Sequence, residues 1–316
     1  MHWFAQAPSN IALIKYMGKK DENSNVPDNS SLSYTLNHLL SSVKLELVPG
    51  RKDLWEPLSI PGAPEFSLSI EGQRRYIEHL NRAKDFFGYT GGFLIQSSNN
   101  FPHSSGLASS ASSFAALTKC ACLALSELTN REQPTIDEQA QLSRLGSGSS
   151  CRSFYAPWSL WRQDNTVSAV DLPYKTLIHQ VVVISSKEKN TLSRTAHHLV
   201  KTSPFYEGRG QRAKENLRLL LNALEEQDWP NVFHVCWREF QDMHQLFNTC
   251  EKPFSYMTDA TNQLLTAIQK FWEKTGDGPV VTMDAGPNIH LLYRPEQTDL
   301  SRQFKIDYLL GNYDVL

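Results

Sequence analysis

The chain of 316 residues is 40% hydrophobic and 20% charged, which excludes a disordered or fibrous protein and allows two globular domains. A formal net charge of −2 excludes the basic surplus that wholesale binding to nucleic acid or an anionic membrane would need, so an anionic ligand must be met by local cations. The five cysteines form no Cys-x-x-Cys pair, no secretory apolar segment follows Met1, and runs such as Val181-Val182-Val183-Ile184 are too short to span a bilayer. Reduced thiols in a cytoplasmic protein are therefore expected.

In chain order, Ala7-Pro8-Ser9-Asn10-Ile11-Ala12-Leu13-Ile14-Lys15-Tyr16-Met17-Gly18-Lys19 runs from an apolar strand into charged sequence. Lysines at such a place either solvate a sheet edge or, beside a backbone opened by Gly18, meet a ligand. A turn at Asp28-Asn29-Ser30-Ser31 leads to a strand over residues 32–36. A second, half-buried strand is expected where Val43, Leu45 and Leu47 alternate with Lys44 and Glu46. Residues 51–70 read as loop or short edge strands, and Ile77, Leu80, Ala83, Phe86 and Phe87 give a helix over 71–87.

A short strand, Phe93-Leu94-Ile95-Gln96, then leads through a polar loop into Phe101-Pro102-His103-Ser104-Ser105-Gly106-Leu107-Ala108-Ser109-Ser110-Ala111. Leu107, Ala111, Phe114, Thr118, Cys122 and Leu125 recur at helical spacing, so this loop opens into the first turn of a long helix. Unpaired N–H groups at a helix start carry partial positive charge, and small side chains let an anion approach them. The stretch is a phosphate cradle with Ser104, Ser105, Ser109 and Ser110 as added donors or Mg²⁺ ligands, or else an N-capped core helix. It is not the Gly-x-x-x-x-Gly-Lys-Ser/Thr loop, because no lysine stands at the helix start.

A helix over 135–144 stops at Gly146-Ser147-Gly148-Ser149-Ser150-Cys151-Arg152. This composition suits a flexible linker or, with hydroxyls and a guanidinium so close together, an oxyanion pocket. Arg152 fits either a bidentate carboxylate contact or a structural salt bridge. A buried strand over 177–185 opens a second domain, followed by Lys187 to Arg194 and by Thr202-Ser203-Pro204. Three helical stripes, centred on Leu220, Phe240 and Leu264, are core, and Gly276 stops the last. The strand Val280-Val281-Thr282-Met283 ends at Asp284-Ala285-Gly286-Pro287-Asn288, and residues 289–293 form another. Asp284 either hydrogen-bonds its own turn or accepts a proton from a ligand. The ten histidines are scattered and His197-His198 has no matching ligand cluster, so no zinc site is expected.

Taken in order, the stretches at 10–19, 29–33, 100–111, 146–152, 202–204 and 284–288 resemble the diphosphomevalonate decarboxylase family. That family belongs to the galactokinase, homoserine kinase, mevalonate kinase and phosphomevalonate kinase superfamily, and the resemblance covers most of the chain. It implies an α+β fold in two domains. Residues 1–178 would form a nucleotide-binding domain like ribosomal-protein S5 domain 2, residues 179–316 a ferredoxin-like domain, with the active site between them. It also implies a homodimer that uses ATP and Mg²⁺ to convert mevalonate 5-diphosphate into isopentenyl diphosphate, ADP, phosphate and carbon dioxide.

By the same resemblance, Asp284, Lys15 and Arg152 are catalytic. Asp284 would accept the 3-hydroxyl proton, Lys15 would keep it ionised, and Arg152, with Ser147 and Ser149, would hold the substrate carboxylate. Tyr16, Lys19, Ser193 and Arg194 would hold the 5-diphosphate. The nucleotide phosphates would lie on Ser104, Ser105, Gly106, Leu107, Ala108, Ser109 and Ser110, with Ser110 the Mg²⁺ contact. The chain departs from the family at Met17, where tryptophan is common, and at Pro102-His103-Ser104-Ser105-Gly106, usually Pro-Thr-Ala-Ala-Gly. The alternatives are a mevalonate 5-phosphate decarboxylase, a mevalonate 3-kinase, or a non-catalytic sensor on the same fold. Lys19, Ser193 and Arg194 favour a diphosphate, unless the two cations only form surface salt bridges. The joint presence of Asp284, Lys15 and Arg152 weighs against the sensor.

Overall fold

The computed structural model describes residues 1–21, 24–102, 109–185, 191 and 193–316, the side chains of Ser193 and Arg194 excepted. Strand β1 (His2–Ile14) alternates exposed and buried residues over its first half, then is buried on both faces from Ser9 onward. Its early half is therefore a one-sided strand and its late half runs into the interior, carrying Asn10 and the residues after it inward. The short strands β2 (Lys19–Asp21) and β3 (Val26–Pro27) pair as a separate two-stranded ribbon.

The two strands expected over 32–36 and 43–47 are one 18-residue strand, β4 (Ser31–Val48). Asn37 and His38 break the alternation, and they lie where the register against β1 slips between Pro8 and Ser9. The irregularity bends the strand without ending it, because β1 pairs on both sides of the slip. The first sheet is completed by β5 (Leu54–Pro57), β6 (Gly92–Asn99), β7 (Trp158–Trp161) and β8 (Val167–Val170), in the order β5-β6-β4-β7-β8, with β1 on β4. The expected edge strand is thus β5, parallel to β6.

Helices α1 (Ile70–Phe87), α2 (Ser109–Thr129) and α3 (Ile136–Gly146) cover this unit, close to the spans that periodicity predicts. Ser69 caps α1, and a reciprocal Thr135–Glu138 capping box starts α3. A core of Trp3, Val43, Leu45, Phe93, Phe114 and Leu117, among others, lies between sheet and helices.

The second unit begins with β9 (Ile178–Val183), followed by α4 (Ser193–Leu199), α5 (Arg209–Glu225), α6 (Trp229–Thr249) and α7 (Asp259–Thr275). Then come β10 (Val280–Thr282), β11 (Ile289–Tyr293), α8 (Thr298–Phe304) and β12 (Asp314–Val315). The sheet order β10-β11-β9-β12, antiparallel throughout, is the split β-α-β arrangement of ferredoxin-like domains. Gly276 ends α7 in the left-handed conformation, at φ 69°.

The two units share one apolar core. Ile11, Leu13, Leu32 and Trp158 of the first pack in the same cluster as Val181, Leu220, Phe240 and Met283 of the second. Side chains leaving β1 and β10 at this seam are held in register by burial on both sides. All five cysteines are buried and outside disulfides, and no described helix is long and apolar enough to cross a membrane.

Candidate active site

Where β1 ends at Ile14, the chain delivers Lys15, whose side chain is only 1% exposed, to the seam between the units. Asp284 arrives from the other side, two residues past β10. The Lys15 Nζ donates to Asp284 Oδ1 at 2.8 Å. The turn is closed instead by the Asp284 backbone carbonyl, which accepts the Gly286 N–H at 2.8 Å. The Asp284 side chain keeps 25% of its surface accessible, so it faces a cleft as well as the lysine. Burial works against ionising this carboxyl, yet Lys15, His290 and Arg152 together hold it below the usual carboxylate range. Burial likewise pulls the Lys15 ammonium below its ordinary value, opposed mainly by Asp284. The pair is therefore an ionised base held by a cation that has little water of its own.

Arg152 approaches the same point from a short 3-10 helix, Gly148–Phe154, which replaces the linker that Gly-Ser-Gly-Ser composition allows. The guanidinium is buried, with Nε donating to Asn10 Oδ1 at 3.1 Å and Nη1 to Ser31 Oγ at 2.7 Å. Asn10 is itself fixed by donating to Ser153 Oγ at 2.8 Å. Among the described residues, neither of these partners is a carboxylate. Arg152 is thus no structural salt bridge there: burial works against its positive charge, and Cys151 and the more distant Asp284 carboxylate oppose that effect. A buried charge with neutral neighbours is a seat for an anion.

Tyr16 lies against Trp161 and His197, with ring centroids 4.6 and 4.5 Å away. It passes so close to Gly148 that any Cβ there would meet the phenol ring at 2.8 Å, which explains a glycine in that turn. His197 Nδ1 accepts the Gly18 N–H at 3.1 Å, and burial keeps this imidazole neutral, with a pKa pushed down to about 3. Lys19 is also buried, and its charge acts on His197. Arg152 thus acts directly on the Lys15–Asp284 pair, while Tyr16 and Lys19 follow Lys15 along the chain and meet at His197. Ser193 and Arg194 fall in the first turn of α4, with side chains outside the described residues.

Helix α2 begins at Ser109 with no acidic residue in its first turn, so no carboxylate of that turn repels an anion from its N–H groups. Ser104, Ser105, Gly106, Leu107 and Ala108 lie outside the described residues. Ser109 is buried and Ser110 exposed, and the Ser110 and Ser147 hydroxyls are 3.2 Å apart. That contact joins the helix entrance to the Arg152 segment. The Ser149 carbonyl accepts from Asn10 Nδ2 at 3.4 Å, while the Ser150 hydroxyl accepts from Ser143 Oγ of α3 and donates to the Ser147 carbonyl. Among the described residues no three His, Cys, Asp or Glu side chains gather as a metal site. A hydroxyl such as that of Ser110 is a hard oxygen that fits Mg²⁺ as one ligand beside phosphate oxygens and water.

Sequence reading missed His197, Glu239, Arg209 and His244 as parts of this neighbourhood. Glu239 had a signal: it stands three residues after Cys236 and four before Met243, a carboxylate on the apolar face of α6. His244 points its Nε2 at the Asp284 carbonyl, 3.2 Å away.

Comparison with known proteins converges on one family. Residues 7–171 match the family model described as diphosphomevalonate decarboxylase-like N-terminal domain, and residues 179–309 the mevalonate 5-diphosphate decarboxylase C-terminal domain. Diphosphomevalonate decarboxylase ERG19 of Gibberella zeae is 30% identical over 317 residues, covering 93% of this chain and 81% of its own. The crystal structure of a mevalonate diphosphate decarboxylase from Legionella pneumophila is 75% identical with a TM-score of 0.95, covering 100% of both chains. A solved complex of MDDEF with MVAPP, AMPPCP and magnesium is 26% identical with a TM-score of 0.87, covering 100% of this chain and 96% of that one. The two-domain α+β fold is the one these structures share.

Proposed function

We infer that this chain, which belongs to the diphosphomevalonate decarboxylase family, uses ATP and Mg²⁺ to convert mevalonate 5-diphosphate into isopentenyl diphosphate, ADP, phosphate and carbon dioxide. The observation that carries the reading is the Lys15–Asp284 pair at the seam of two units, with the buried Arg152 charge beside it.

A tertiary 3-hydroxyl leaves poorly until it is phosphorylated. Asp284, held ionised, accepts its proton as the oxygen attacks the γ-phosphoryl group, and Lys15 stabilises the carboxylate until then. The Ser110 hydroxyl would be a protein ligand for Mg²⁺, which when bound would supply neutralisation of charge on the phosphate oxygens. The entrance of α2 seats the nucleotide phosphates. Loss of the new 3-phosphate builds positive charge at C3, and cleavage of the bond to the carboxylate supplies the electron pair for the alkene. Arg152, oriented by Asn10 and Ser31 and helped by Ser147 and Ser149, holds that carboxylate in line. Tyr16, Lys19, Ser193 and Arg194 hold the 5-diphosphate. On the same reading the domains divide at 178/179, and the enzyme works in the cytoplasm as a homodimer, which sedimentation equilibrium tests.

The decisive experiment supplies ATP and Mg²⁺ with mevalonate, its 5-phosphate or its 5-diphosphate, and follows carbon dioxide and inorganic phosphate. Gas evolution confined to the diphosphate is expected. Phosphorylation without gas, or gas from the monophosphate, overturns the assignment.

A further inference from the structure

We propose that Glu239 and Arg209, an ion pair on helices of the C-terminal unit, are positioning residues that clamp the main chain of Lys15 and so set the Lys15–Asp284 geometry. The proposal rests on the reading of that pair as the acid–base centre.

Lys15 is the first residue beyond β1, so its backbone groups have lost the sheet ladder that holds Ile14. A buried peptide must still pair its N–H and C=O. Here the partners come from side chains. Glu239 Oε1 accepts the Lys15 N–H at 2.9 Å. The Lys15 carbonyl accepts from Asn29 Nδ2 at 2.8 Å and from Arg209 Nη2 at 3.4 Å. Arg209 Nη2 also donates to Glu239 Oε1, and Nη1 to Glu239 Oε2 at 3.2 Å and to Asp242 Oδ2 at 3.0 Å. Asn216 closes the set by donating to Glu239 Oε2 at 2.6 Å. Glu239 is fully buried and Arg209 only 1% exposed. An ion pair this dry is costly to build and gives modest net stability, so its fixed geometry is its more evident product.

The geometry has a particular consequence. Asp284 belongs to the C-terminal unit and Lys15 to the N-terminal one, so any slip at the seam would part them. Glu239 and Arg209 lie on α6 and α5, on Asp284's side of the seam, yet they grip Lys15's own peptide. They tie base and cation to one frame. Among the described residues, the groups that face Lys15 electrostatically include Asp284 from the β10–β11 turn, Arg152 from the 3-10 helix, Glu239, Cys236 and His244 from α6, and Arg209 from α5. Glu239 is one of those that hold the ammonium protonated.

The test uses the full-length enzyme and two substitutions at one position. Glu239→Asp keeps the charge but withdraws the carboxylate by a methylene, and Glu239→Gln keeps the shape but removes the charge. Each is expected to lower kcat by about 10- to 100-fold, since sub-ångström misplacement of reacting groups is enough for that, with KM for the diphosphate changed by less than about 3-fold. Glu239→Gln alone should also move the alkaline limb of the kcat–pH profile to lower pH, because Lys15 loses a supporting negative charge. Arg212→Gln is the control: Arg212 reaches the network through Asp242 without touching Lys15, so only thermal stability should fall. If the Glu239 variants do not fold, Asn216→Ala, which removes one hydrogen bond from Glu239, should lower kcat in the same sense by a few-fold. Wild-type kcat in the folded Glu239 variants, or in Asn216→Ala, overturns the clamp. Asp284→Asn separates the two readings: if it still turns over, the acid–base assignment fails, whereas an inactive Asp284→Asn beside an active Glu239→Asp removes only the clamp.

Discussion

Replacing Asp284 by asparagine removes a base and orphans a cation, and the two effects are separable. The Lys15 ammonium is 1% exposed and bonds Asp284 at 2.8 Å, the main influence keeping it charged against burial. Removing one partner of a buried pair costs about 3–5 kcal/mol. The alternative open to the variant is to release the Lys15 proton, which at pH 7 costs about 5 kcal/mol for a lysine with an ordinary unfolded pKa near 10.4. Because a quarter of the Asp284 side chain is accessible, water can follow into the space, and the lower end, about 3 kcal/mol, is expected. The sign with pH follows from proton counts. Once pH is high enough that releasing the Lys15 proton costs less than holding it, the folded variant binds fewer protons than the unfolded chain, so stability rises with pH. From there the deficit relative to wild type should shrink by up to about 1.4 kcal/mol per unit, a gain that shows by pH 9. Denaturant titrations of both proteins at pH 7 and 9 measure this, and phosphate release should fall about 10²- to 10⁴-fold while substrate binding survives. A deficit independent of pH would show that Lys15 is not the orphan, and normal turnover would remove Asp284 from the chemistry.

Arg152→Lys should cost about 10- to 100-fold in kcat/KM, because a point charge cannot keep Asn10 and Ser31 while gripping a carboxylate with two donors. Wild-type kinetics in that variant would return Arg152 to a packing role. The neutral, buried His79, His197 and His244, each with a pKa pushed down to about 3, bind protons only when the chain unfolds near their ordinary value of 6.5. Stability is then full above pH 6.5 and falls as pH drops, by about 2 kcal/mol for each histidine between pH 7 and 5. A thermal midpoint that stays flat from pH 7 to 5 would contradict this.

Much of the fold is legible because its signals are local. The stripes of α5, α6 and α7, the helix over 135–144 and the stop at Gly276 each follow from neighbours within a few residues. Residues that the motifs single out, Lys15, Arg152 and Asp284, also come together, as their chemistry requires. What escapes the sequence is long-range. Arg209 and Glu239 are 30 positions apart on two helices, and their meeting with Lys15 depends on how the units dock. Likewise His38, His179 and His290 look scattered, yet they form a row with nitrogen separations of 3.1 and 2.9 Å because β4, β9 and β11 bring them together. The single long β4 hides for a related reason: the break at Asn37 and His38 looks like an end until β1 is seen pairing on both sides.

Met17, where the family commonly has tryptophan, shows what such a departure can change. It is 2% exposed and packs with Ala196, Val200, Met243, Leu246, Phe247 and Tyr256, all from the C-terminal unit. The N-terminal chain plugs into its neighbour here, in an apolar cluster that anchors the backbone between Tyr16 and Lys19. Next to it, Gly18 has φ 92° and is covered by the Tyr206 ring, whose hydroxyl donates to Asp28 Oδ2 at 2.6 Å. The plug is therefore confined on two sides. Met17→Trp should overpack the cluster by about 1–3 kcal/mol, and thermal unfolding measures it. The displaced backbone would carry Tyr16 and Lys19 with it, so KM for the diphosphate should rise more than kcat falls. A variant as stable as wild type with unchanged KM would mean the cluster has room for the indole, and the departure would then say nothing about the diphosphate seat.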